Sequence, residues 1–204
     1  MGIAERKERQ KMEMRSGILD AAWQVVLDTG WQSLSIRKIA DAIEYSVPVV
    51  YEHFENKEAL LLEFSKLGFK RLSNELKKAK ANHRDPERQL EAIAHAYWDF
   101  AFTHKEYYQV MFGLGMPTCE QAKTMPELTE FRQVIQTTIE KIAAKQEKQI
   151  NVFLKVQSFW SMVHGLVSIN LVAPAANHAD TGKEDLNSLV LKDFTTGFIM
   201  GLKN

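Results

Sequence analysis

Apolar residues recur at three- and four-residue spacing along almost the whole chain, and this period is typical of α-helices. Near the start, for example, Ile18, Ala22 and Val26 are four residues apart and would form one face of a helix. No run of alternating β-branched residues is flanked by hairpin turns. The pattern therefore predicts an all-α protein with about nine helices.

Two short helical segments follow a longer one in the first quarter of the chain. The long helix is expected at about residues 7–28 and ends before Gly30, and the short ones cover 35–42 and 47–53. Ser35, Ser46 and Asn56 are placed to cap the second, third and fourth helices, and Pro48 falls in a first turn, where proline is tolerated. This order of elements predicts a three-helix helix-turn-helix domain at 1–57.

Residues 58–204 predict a larger helical bundle. Helices are expected from Pro86, at 106–112, at 128–148 and in two apolar stretches at 150–172 and 184–202, with a loop at 113–126. The last two helices carry more apolar positions than one face of a monomer needs, which predicts a homodimer interface. These positions are Val152, Val156, Phe159, Val163, Val167, Leu186, Leu189, Val190, Phe194 and Ile199.

The charge and cysteine content bear on the partners of the protein and on the compartment in which it works. Lys plus Arg and Asp plus Glu each number 26, and a neutral total does not exclude a nucleic-acid partner, because the distribution of basic groups decides that. The single cysteine, Cys119, excludes an internal disulfide and fits a reducing compartment. The charged start of the chain lacks a signal-peptide core, and stretches such as Leu166–Ala176 are too short to cross a bilayer. We expect a cytoplasmic protein with no membrane partner.

One motif is more specific than the general helix-turn-helix pattern. The segment resembles the TetR family of bacterial regulators over about residues 15–65, through the series Ser35-x-Arg37-x-Ile39-Ala40, then Ser46, then Tyr51-x-His53-Phe54-x-x-Lys57-x-x-Leu60-Leu61. The resemblance implies that the helix from Ser46 to His53 is the recognition helix. It also implies that Tyr51, His53 and Lys57 touch the DNA backbone and that Arg37 reaches a phosphate or a base edge.

The residue types agree with this implication. The candidates nearest the bases, Val47, Pro48 and Val49, are apolar and can meet a thymine methyl, but they cannot form paired hydrogen bonds to guanine. Ser46 can offer its hydroxyl to a phosphate. The predicted DNA-binding set is Ser35, Arg37, Ser46, Val47, Pro48, Val49, Tyr51, His53 and Lys57. A packing role for His53 stays open.

The turn between the two short helices departs from the family pattern. This chain has Glu44 and Tyr45 where the family usually has glycine and a small aliphatic residue. A positive φ is expected there, which costs a non-glycine residue about 1 kcal/mol or more. We expect the Glu44 carboxylate to point away from the DNA, since it would repel phosphate.

The second half carries a resemblance of its own. The series Tyr97-x-x-Phe100-Ala101-x-x-His104-x-x-Tyr107-Tyr108-x-x-Met111-Phe112, followed by Trp160-x-x-x-His164-Gly165, looks like the Trp-His-Gly type of C-terminal domain found in some TetR-like regulators, with Lys105 where proline is common. Its aromatic and thioether surplus predicts a pocket for a hydrophobic or aromatic effector, between the helix of Trp98 and that of Trp160. The predicted ligand-binding set is Trp98, Phe102, Tyr108, Met111, Phe112, Trp160 and His164, with His104 and Asn170 as further polar candidates. Each of these side chains could instead belong to the core.

Other classes of function find little support in the sequence. There is no glycine-rich phosphate loop, paired metal-ligand spacing or nucleophile elbow, so we expect no enzyme, cofactor or metal site. A redox role for Cys119 and a purely structural bundle remain alternatives. The sequence thus predicts a ligand-responsive repressor that binds a palindromic operator as a homodimer and is released by a small molecule. The effector, the operator, the regulated genes and any role in activation stay open.

Overall fold

The computed structural model describes residues 2–145, 149–172 and 186–203, and within these ranges it contains helices and turns but no strand. The all-α expectation is confirmed. The described residues form ten α-helices: α1 (Ile3–Thr29), α2 (Ile36–Ala42), α3 (Val47–Tyr51), α4 (Lys57–Ala81), α5 (Pro86–Thr103), α6 (Lys105–Gln109), α7 (Cys119–Thr124), α8 (Pro126–Ala144), α9 (Val152–Val172) and α10 (Leu186–Lys203). A 3₁₀ turn (Trp31–Ser33) follows α1, and a π-helical turn (Val110–Leu114) follows α6.

The count exceeds the expected nine because α7 forms inside the segment that we expected to be a loop. Its sequence, Cys-Glu-Gln-Ala-Lys-Thr, is rich in good helix formers, and Pro117 and Pro126 lie on either side of it. The flanking prolines predict a break in structure, but they leave room for one and a half helical turns between them.

The chain divides into two compact units, and the division falls inside α4. The first unit runs to Gly68 and also takes in Glu106–Thr118, and the second holds Phe69–Lys105 and the described residues from Cys119 onward. The first unit therefore extends beyond the 57 residues expected for the DNA-binding domain, and it includes a segment from the middle of the chain.

In the first unit, α1, α2, α3 and the start of α4 enclose a small core. Ile18, Ala22 and Val26 on α1 are buried as the spacing predicts, and Phe54 and Phe64 are buried with them. Burial of each such large side chain contributes about 1.5–3 kcal/mol. The core is extended by the segment from residue 106, because the Trp31 indole N–H donates to the Glu106 carbonyl (2.9 Å) and Trp23 stacks on Tyr107 with ring centroids 4.2 Å apart.

In the second unit, α5, α8, α9 and α10 pack together, and α8 contacts each of the other three. Phe131 and Ile139 of α8 are fully buried, and so is Ile93 of α5. Two buried hydroxyls are bonded within their own helices, since Thr138 donates to the Val134 carbonyl and Thr195 to that of Leu191. These hydrogen bonds offset the cost of removing the hydroxyls from water.

The two terminal helices have an inner and an outer apolar face, and this corrects the expected interface. The inner positions are buried within the second unit, so they belong to its core and are not free for a partner: Val156, Phe159, Val163, Val167 and Ile199. Three of the expected positions are exposed, namely Leu186, Leu189 and Val190. Further exposed apolar residues were not expected: Phe153, Leu154, Met162, Ile169, Leu171 and Met200. Periodicity alone could not separate the faces, because α9 is apolar around most of its circumference.

The stretch Val152–Leu171 is, by length and composition, the one helix in the described residues that is apolar enough to cross a bilayer. It is longer than the stretches considered from the sequence. Core and interface helices of proteins in water pass the same test. Its exposed side chains identify a surface that is expected to be covered by a partner.

Candidate nucleic-acid interface and effector site

The turn that joins α2 to α3 is a Schellman motif. The Tyr45 N–H donates to the Ala40 carbonyl (3.0 Å), and the Glu44 N–H donates to that of Asp41 (3.3 Å). Glu44 occupies the left-handed position of the motif with φ 59°, which confirms the positive φ expected there. Its side chain is exposed to solvent. At the other end of α2, Ser35 caps the helix as predicted, accepting from the Lys38 N–H (3.3 Å).

The start of α3 differs from the expected cap. Ser46 is the N-cap residue, but its hydroxyl makes no capping hydrogen bond. The reason lies in the next residues, because Pro48 has no N–H to donate and the Val49 N–H donates to the Ser46 carbonyl instead (3.0 Å). The helix also ends at Tyr51, two residues before the expected end at His53. The serine hydroxyl is thus not engaged in capping at the start of this short helix.

The surface of α3 combines one anchor with several outward side chains. Val50 is fully buried and fixes the helix to the core, whereas Val47 and Val49 are half-buried and Pro48 is exposed. Tyr51 is 50% exposed and Tyr45, just before the helix, is 52% exposed. Tyr45 is absent from the predicted DNA-binding set, although its position beside Ser46 in the sequence could have identified it.

Lys57 makes a contact that the sequence did not predict. Its ammonium group donates to the Leu34 carbonyl (2.7 Å), which joins the first turn of α4 to the segment before α2. An ammonium group has three donors, so two remain for other acceptors. Arg37 and Lys38 on α2 are exposed. Asn56 caps α4 as predicted, accepting from the Ala59 N–H (2.7 Å).

His53 is held by Arg15, a residue outside the predicted set. The Arg15 guanidinium donates to the His53 carbonyl (2.6 Å), lies 4.1 Å from the centroid of the Phe54 ring and is 3.3 Å from the Glu63 carboxylate. The Nδ1 atom of His53 is buried without a protein partner. Arg15 precedes the buried Ile18 by three residues and therefore lies on the same face of α1. A basic residue on this otherwise apolar face was the sequence feature that could have revealed the contact between Arg15 and His53.

The second unit places Trp160 and His164 of α9 around Tyr97 of α5. The Trp160 indole N–H donates to the Tyr97 hydroxyl (3.3 Å), which lies 3.1 Å from Nδ1 of His164. The other ring nitrogen of His164 is 3.4 Å from the Ser168 hydroxyl. Burial lowers the pKa of His164 from its ordinary value of 6.5, so the ring is neutral at neutral pH.

The remaining predicted effector residues are distributed over both units. Trp98 and Phe102 of α5 pack on each other, with ring centroids 4.5 Å apart, and both are half-buried. In the first unit, Tyr108 and Phe112 contact each other at 4.7 Å, and Met111 is fully buried beside Gly68. A Cβ atom at Gly68 would lie 2.5 Å from the Met111 sulfur, so the absence of a side chain there permits this close packing.

Two further polar candidates have protein partners. The ring of His104 lies 3.0 Å from the Glu75 carboxylate, and the Asn170 amide donates to the Leu166 carbonyl (2.9 Å). Both residues therefore have structural roles in the second unit. Cys119 is a free, exposed thiol, and no group of metal-ligating side chains occurs in the part of the chain that the structure describes.

A groove of about 520 Å³ opens on the second unit, away from the predicted effector residues, none of which lines it. Its walls come from the end of α4, the start of α5 and the middle of α8, and they include Lys80, His83, Gln89 and Thr137. The Lys80 ammonium donates to the Thr137 hydroxyl (2.8 Å). Burial and, to a lesser extent, the nearby Lys141 lower the pKa of Lys80.

The fold and the outward face of α2 and α3 define the class, a helix-turn-helix DNA-binding protein. Residues 18–64 match the family described as "Bacterial regulatory proteins, tetR family", and residues 90–193 match "Tetracyclin repressor-like, C-terminal domain". The chain therefore belongs to the TetR family of transcriptional regulators. The Trp-His-Gly subtype of its C-terminal half stays a prediction.

A curated relative is the HTH-type transcriptional activator FasR of Mycolicibacterium smegmatis, 30% identical over 100 residues. The match covers 49% of this chain and 46% of that protein, so it spans about half the length of the relative.

Solved structures share the fold over nearly the whole chain. A protein of unknown function from Rhodococcus sp. RHA1 has a TM-score of 0.75 at 19% identity, covering 93% of this chain and 95% of its own. FadR of Bacillus subtilis in complex with stearoyl-CoA has a TM-score of 0.65 at 16% identity, covering 93% and 97%. Thermus thermophilus FadR in complex with lauroyl-CoA has a TM-score of 0.58 at 19% identity, covering 91% and 93%. At these identities the likeness establishes the fold alone.

Proposed function

We propose that this TetR-family regulator is a cytoplasmic repressor that binds a palindromic operator as a homodimer and leaves it when a small molecule binds. Residues 1–57 are assigned to DNA binding and 58–204 to effector binding and dimerisation. The proposal is carried by the helix-turn-helix face, where α3 is anchored by the buried Val50. Pro48 and Tyr51 are exposed, and so are Glu44, Tyr45 and Ser46 just before the helix.

The DNA-binding face combines positioning and reading. Arg37, Tyr51 and Lys57 supply phosphate contacts, which position a protein without reading sequence. The Ser46 hydroxyl, free of any capping bond, is available to a phosphate as well. Val47, Pro48 and Val49 meet the base edges, and apolar groups there favour thymine methyls. Ser35 and His53 complete the set, and the exposed Tyr45 is added to it.

The dimer is supported by the outer face of α9 and α10. Met162 is 54% exposed and Ile169 is 67% exposed, and they are seven residues apart on one side of α9. Leu186 and Leu189 at the start of α10 are exposed as well. A continuous apolar surface of this kind is a hazard in water unless a partner covers it. A second copy of the chain covers it symmetrically.

The effector is assigned to the hydrophobic class, with long-chain acyl thioesters as the first candidates. The structural relatives named FadR were solved with stearoyl-CoA and lauroyl-CoA, and this chain shares their fold. The proposed contacts in the second unit are Trp98, Phe102, Trp160 and His164. Tyr108, Met111 and Phe112 are proposed contacts that belong to the first unit. Chain connectivity supports a response in DNA binding, because the segment that follows α5 belongs to the DNA-binding unit and is tied there by Trp31.

An activator is the second candidate, since the relative FasR is named as one. Repressor and activator differ in where the operator lies relative to a promoter, so a reporter gene driven from the native upstream region separates them. Deletion of the regulator raises expression for a repressor and lowers it for an activator.

The experiment for the proposal begins with selection of bound duplexes from a random pool, since the operator is unknown. The expected product is an inverted repeat with half-site centres about 10 base pairs apart, or a multiple of that spacing. Lauroyl-CoA should then weaken binding to the selected duplex, and the duplex should weaken lauroyl-CoA binding by the same factor. Failure to enrich any sequence would refute operator binding, whereas enrichment with no response to acyl-CoA would refute only the effector assignment.

A further inference from the structure

Arg132 on α8 is a cation with no anionic partner among the described residues. Its guanidinium carbon lies 5.6 Å from the centroid of the Trp160 ring, and its Nε atom is buried without a hydrogen-bond acceptor. A guanidinium stays charged in proteins, so it cannot relieve this by losing a proton. Contact with an aromatic face attracts the cation but offers no acceptor to the N–H group. The arrangement leaves one donor unsatisfied next to Trp160.

The acidic residues of α8 do not complete the site. Glu130 forms an ion pair with Lys77. Glu127 has a buried carboxylate oxygen that is also without a partner. It precedes Arg132 by five residues, which places the two side chains about 140° apart around the helix. This separation keeps Glu127 from neutralising the guanidinium.

The surroundings of Trp160 supply apolar walls and a neutral polar edge. Phe131 meets the indole edge-on, with ring centroids 5.1 Å apart. The indole N–H is already donated to the Tyr97 hydroxyl, and that hydroxyl is also close to His164. Burial holds His164 in its neutral form, so its ring contributes no charge. Arg132 is then the cationic group that faces this aromatic cluster.

We propose that the effector carries an anionic head group, a carboxylate or a phosphate, that binds the guanidinium of Arg132 above Trp160. The inference rests on the proposed effector function and names the chemical class of its polar end. An oxyanion accepts from the buried Nε–H and from a second guanidinium nitrogen together, a two-point geometry that arginine provides and lysine does not. The apolar remainder of the effector lies against the aromatic cluster.

The test uses three probes that share one alkyl chain and differ only in the head group: dodecanoate, dodecyl phosphate and dodecanol, all below their micelle concentrations. Binding to the whole 204-residue chain is followed by tryptophan fluorescence and by calorimetry. The wild type is expected to bind at least one of the anions about tenfold more tightly than dodecanol. Arg132→Gln should reduce this preference to less than about twofold and leave dodecanol affinity unchanged, and Arg132→Lys should restore it only in part.

Arg88→Gln is the matched control, since Arg88 is an exposed arginine of α5 that pairs with Glu91. It should keep the preference for anions. Melting temperatures provide a second measurement that needs no ligand. Because Arg132→Gln removes an unsatisfied donor, its melting temperature should equal or exceed that of the wild type.

Three outcomes overturn the inference and leave the proposed effector function in place. Equal affinity for all three probes would exclude an anion site while leaving a hydrophobic effector in place. A preference for anions that survives Arg132→Gln would place the anion elsewhere. A marked loss of melting temperature in Arg132→Gln would give Arg132 a structural role. If none of the probes nor lauroyl-CoA bound, the effector assignment itself would fail. If the inference holds, the anionic probe that binds more tightly shows whether the head group of the effector is a carboxylate or a phosphate.

Discussion

The two compact units present different surfaces to their surroundings. In the unit with α2 and α3, exposed apolar residues are scattered over several elements, and Tyr45 and Tyr51, on either side of Val47–Val50, carry hydroxyl groups. In the unit with α9 and α10, exposed apolar residues follow one another along both helices. A polar, hydroxyl-rich face suits the backbone of a nucleic acid, whereas an apolar stripe suits another protein surface. The difference supports the proposal that the first unit binds DNA and the second forms the dimer.

The units differ also in what determines the position of each side chain. Around α2 and α3, the ends of the helices and the turn between them follow from local rules, because a cap, a proline and a Schellman turn act within a few residues. Around α8 and α9, the position of an aromatic ring depends on helices that are distant in sequence. Variants that act on one unit and leave the other intact are therefore the way to test the comparison.

The largest effect is expected from a charge in the exposed stripe of α9. Ile169→Glu should convert the proposed dimer to a monomer, because a carboxylate buried against an apolar partner is strongly unfavourable. Loss of bivalent binding should weaken operator affinity by about 100-fold or more. Sedimentation velocity measures the first effect and fluorescence anisotropy the second.

Met116→Glu is the control, since Met116 is exposed on the first unit and should leave the dimer intact. Val163→Glu provides the contrast, because Val163 is buried within the second unit and its substitution should impair folding. A folded, fully dimeric Ile169→Glu protein would show that the stripe is not the interface.

A smaller but still large effect is expected at Met111, which the sequence assigned to the effector. The side chain is fully buried beside Gly68 in the DNA-binding unit. Met111→Ala should lower the free energy of unfolding by about 2–5 kcal/mol, the usual cost of a large cavity. Chemical denaturation measures it, with the exposed Met116→Ala as the matched control. A loss below about 0.5 kcal/mol would indicate a surface position and would support the proposed contact of Met111 with the effector.

Glycine in place of Glu44, in the turn before α3, should raise the free energy of unfolding. Glu44 has φ 59°, and a left-handed backbone costs about 1–2 kcal/mol in a residue with a side chain. Glu44→Gly removes this cost, partly offset by the greater entropy of glycine in the unfolded chain, so the net gain should be about 0.5–1 kcal/mol. Glu44→Ala keeps a Cβ atom and should gain little. Equal stabilisation by both variants would mean that the charge, not the backbone, is the cause.

The smallest effect concerns pH and the buried ring of His164. Its pKa is lowered on folding, so the unfolded chain takes up a proton first as the pH falls through the ordinary value of 6.5, and stability is lost in that direction. His164→Gln removes the proton site. Its melting temperature should fall less than that of the wild type between about pH 7.5 and about pH 5.5. His83→Gln, at an exposed histidine, should behave as the wild type does. A fall as steep in His164→Gln as in the wild type would contradict this assignment.

Sequence reasoning was most accurate where the determinants are local. The cap of α2, the cap of α4 and the strained turn at Glu44 were all predicted, since each depends on residues within one or two turns of a helix. Ser46 is at the predicted N-cap position, but its hydroxyl makes no capping hydrogen bond, because Pro48 has no N–H and the Val49 N–H donates to the Ser46 carbonyl. The short helix α7 was missed because the prolines on either side of it were interpreted as signs of a loop over the whole segment.

Longer-range contacts were beyond the sequence. The sequence of α5 shows two adjacent aromatic residues, Tyr97 and Trp98. Only tertiary packing determines that Tyr97, and not Trp98, makes hydrogen bonds with Trp160 and His164. The two apolar faces of α9 look alike in a periodic pattern, so the buried one was mistaken for the interface. The Arg15 clamp on His53 and the brace from Lys57 to Leu34 join residues 38 and 23 positions apart, for which local rules give no prediction.

The measurement that tests the central claim most directly is the salt dependence of DNA binding for the wild type, Lys57→Ala and Val49→Thr, on the selected duplex and a scrambled one. A plot of log affinity against log salt should have a steep negative slope for the wild type. Lys57→Ala should weaken binding to both duplexes alike and reduce the slope by about two per dimer, and Val49→Thr should keep the slope and change only the preference between duplexes. Because Lys57 also braces Leu34, circular dichroism must show the variant folded. A folded Lys57→Ala dimer with unchanged affinity and slope would contradict the assignment of this face to DNA.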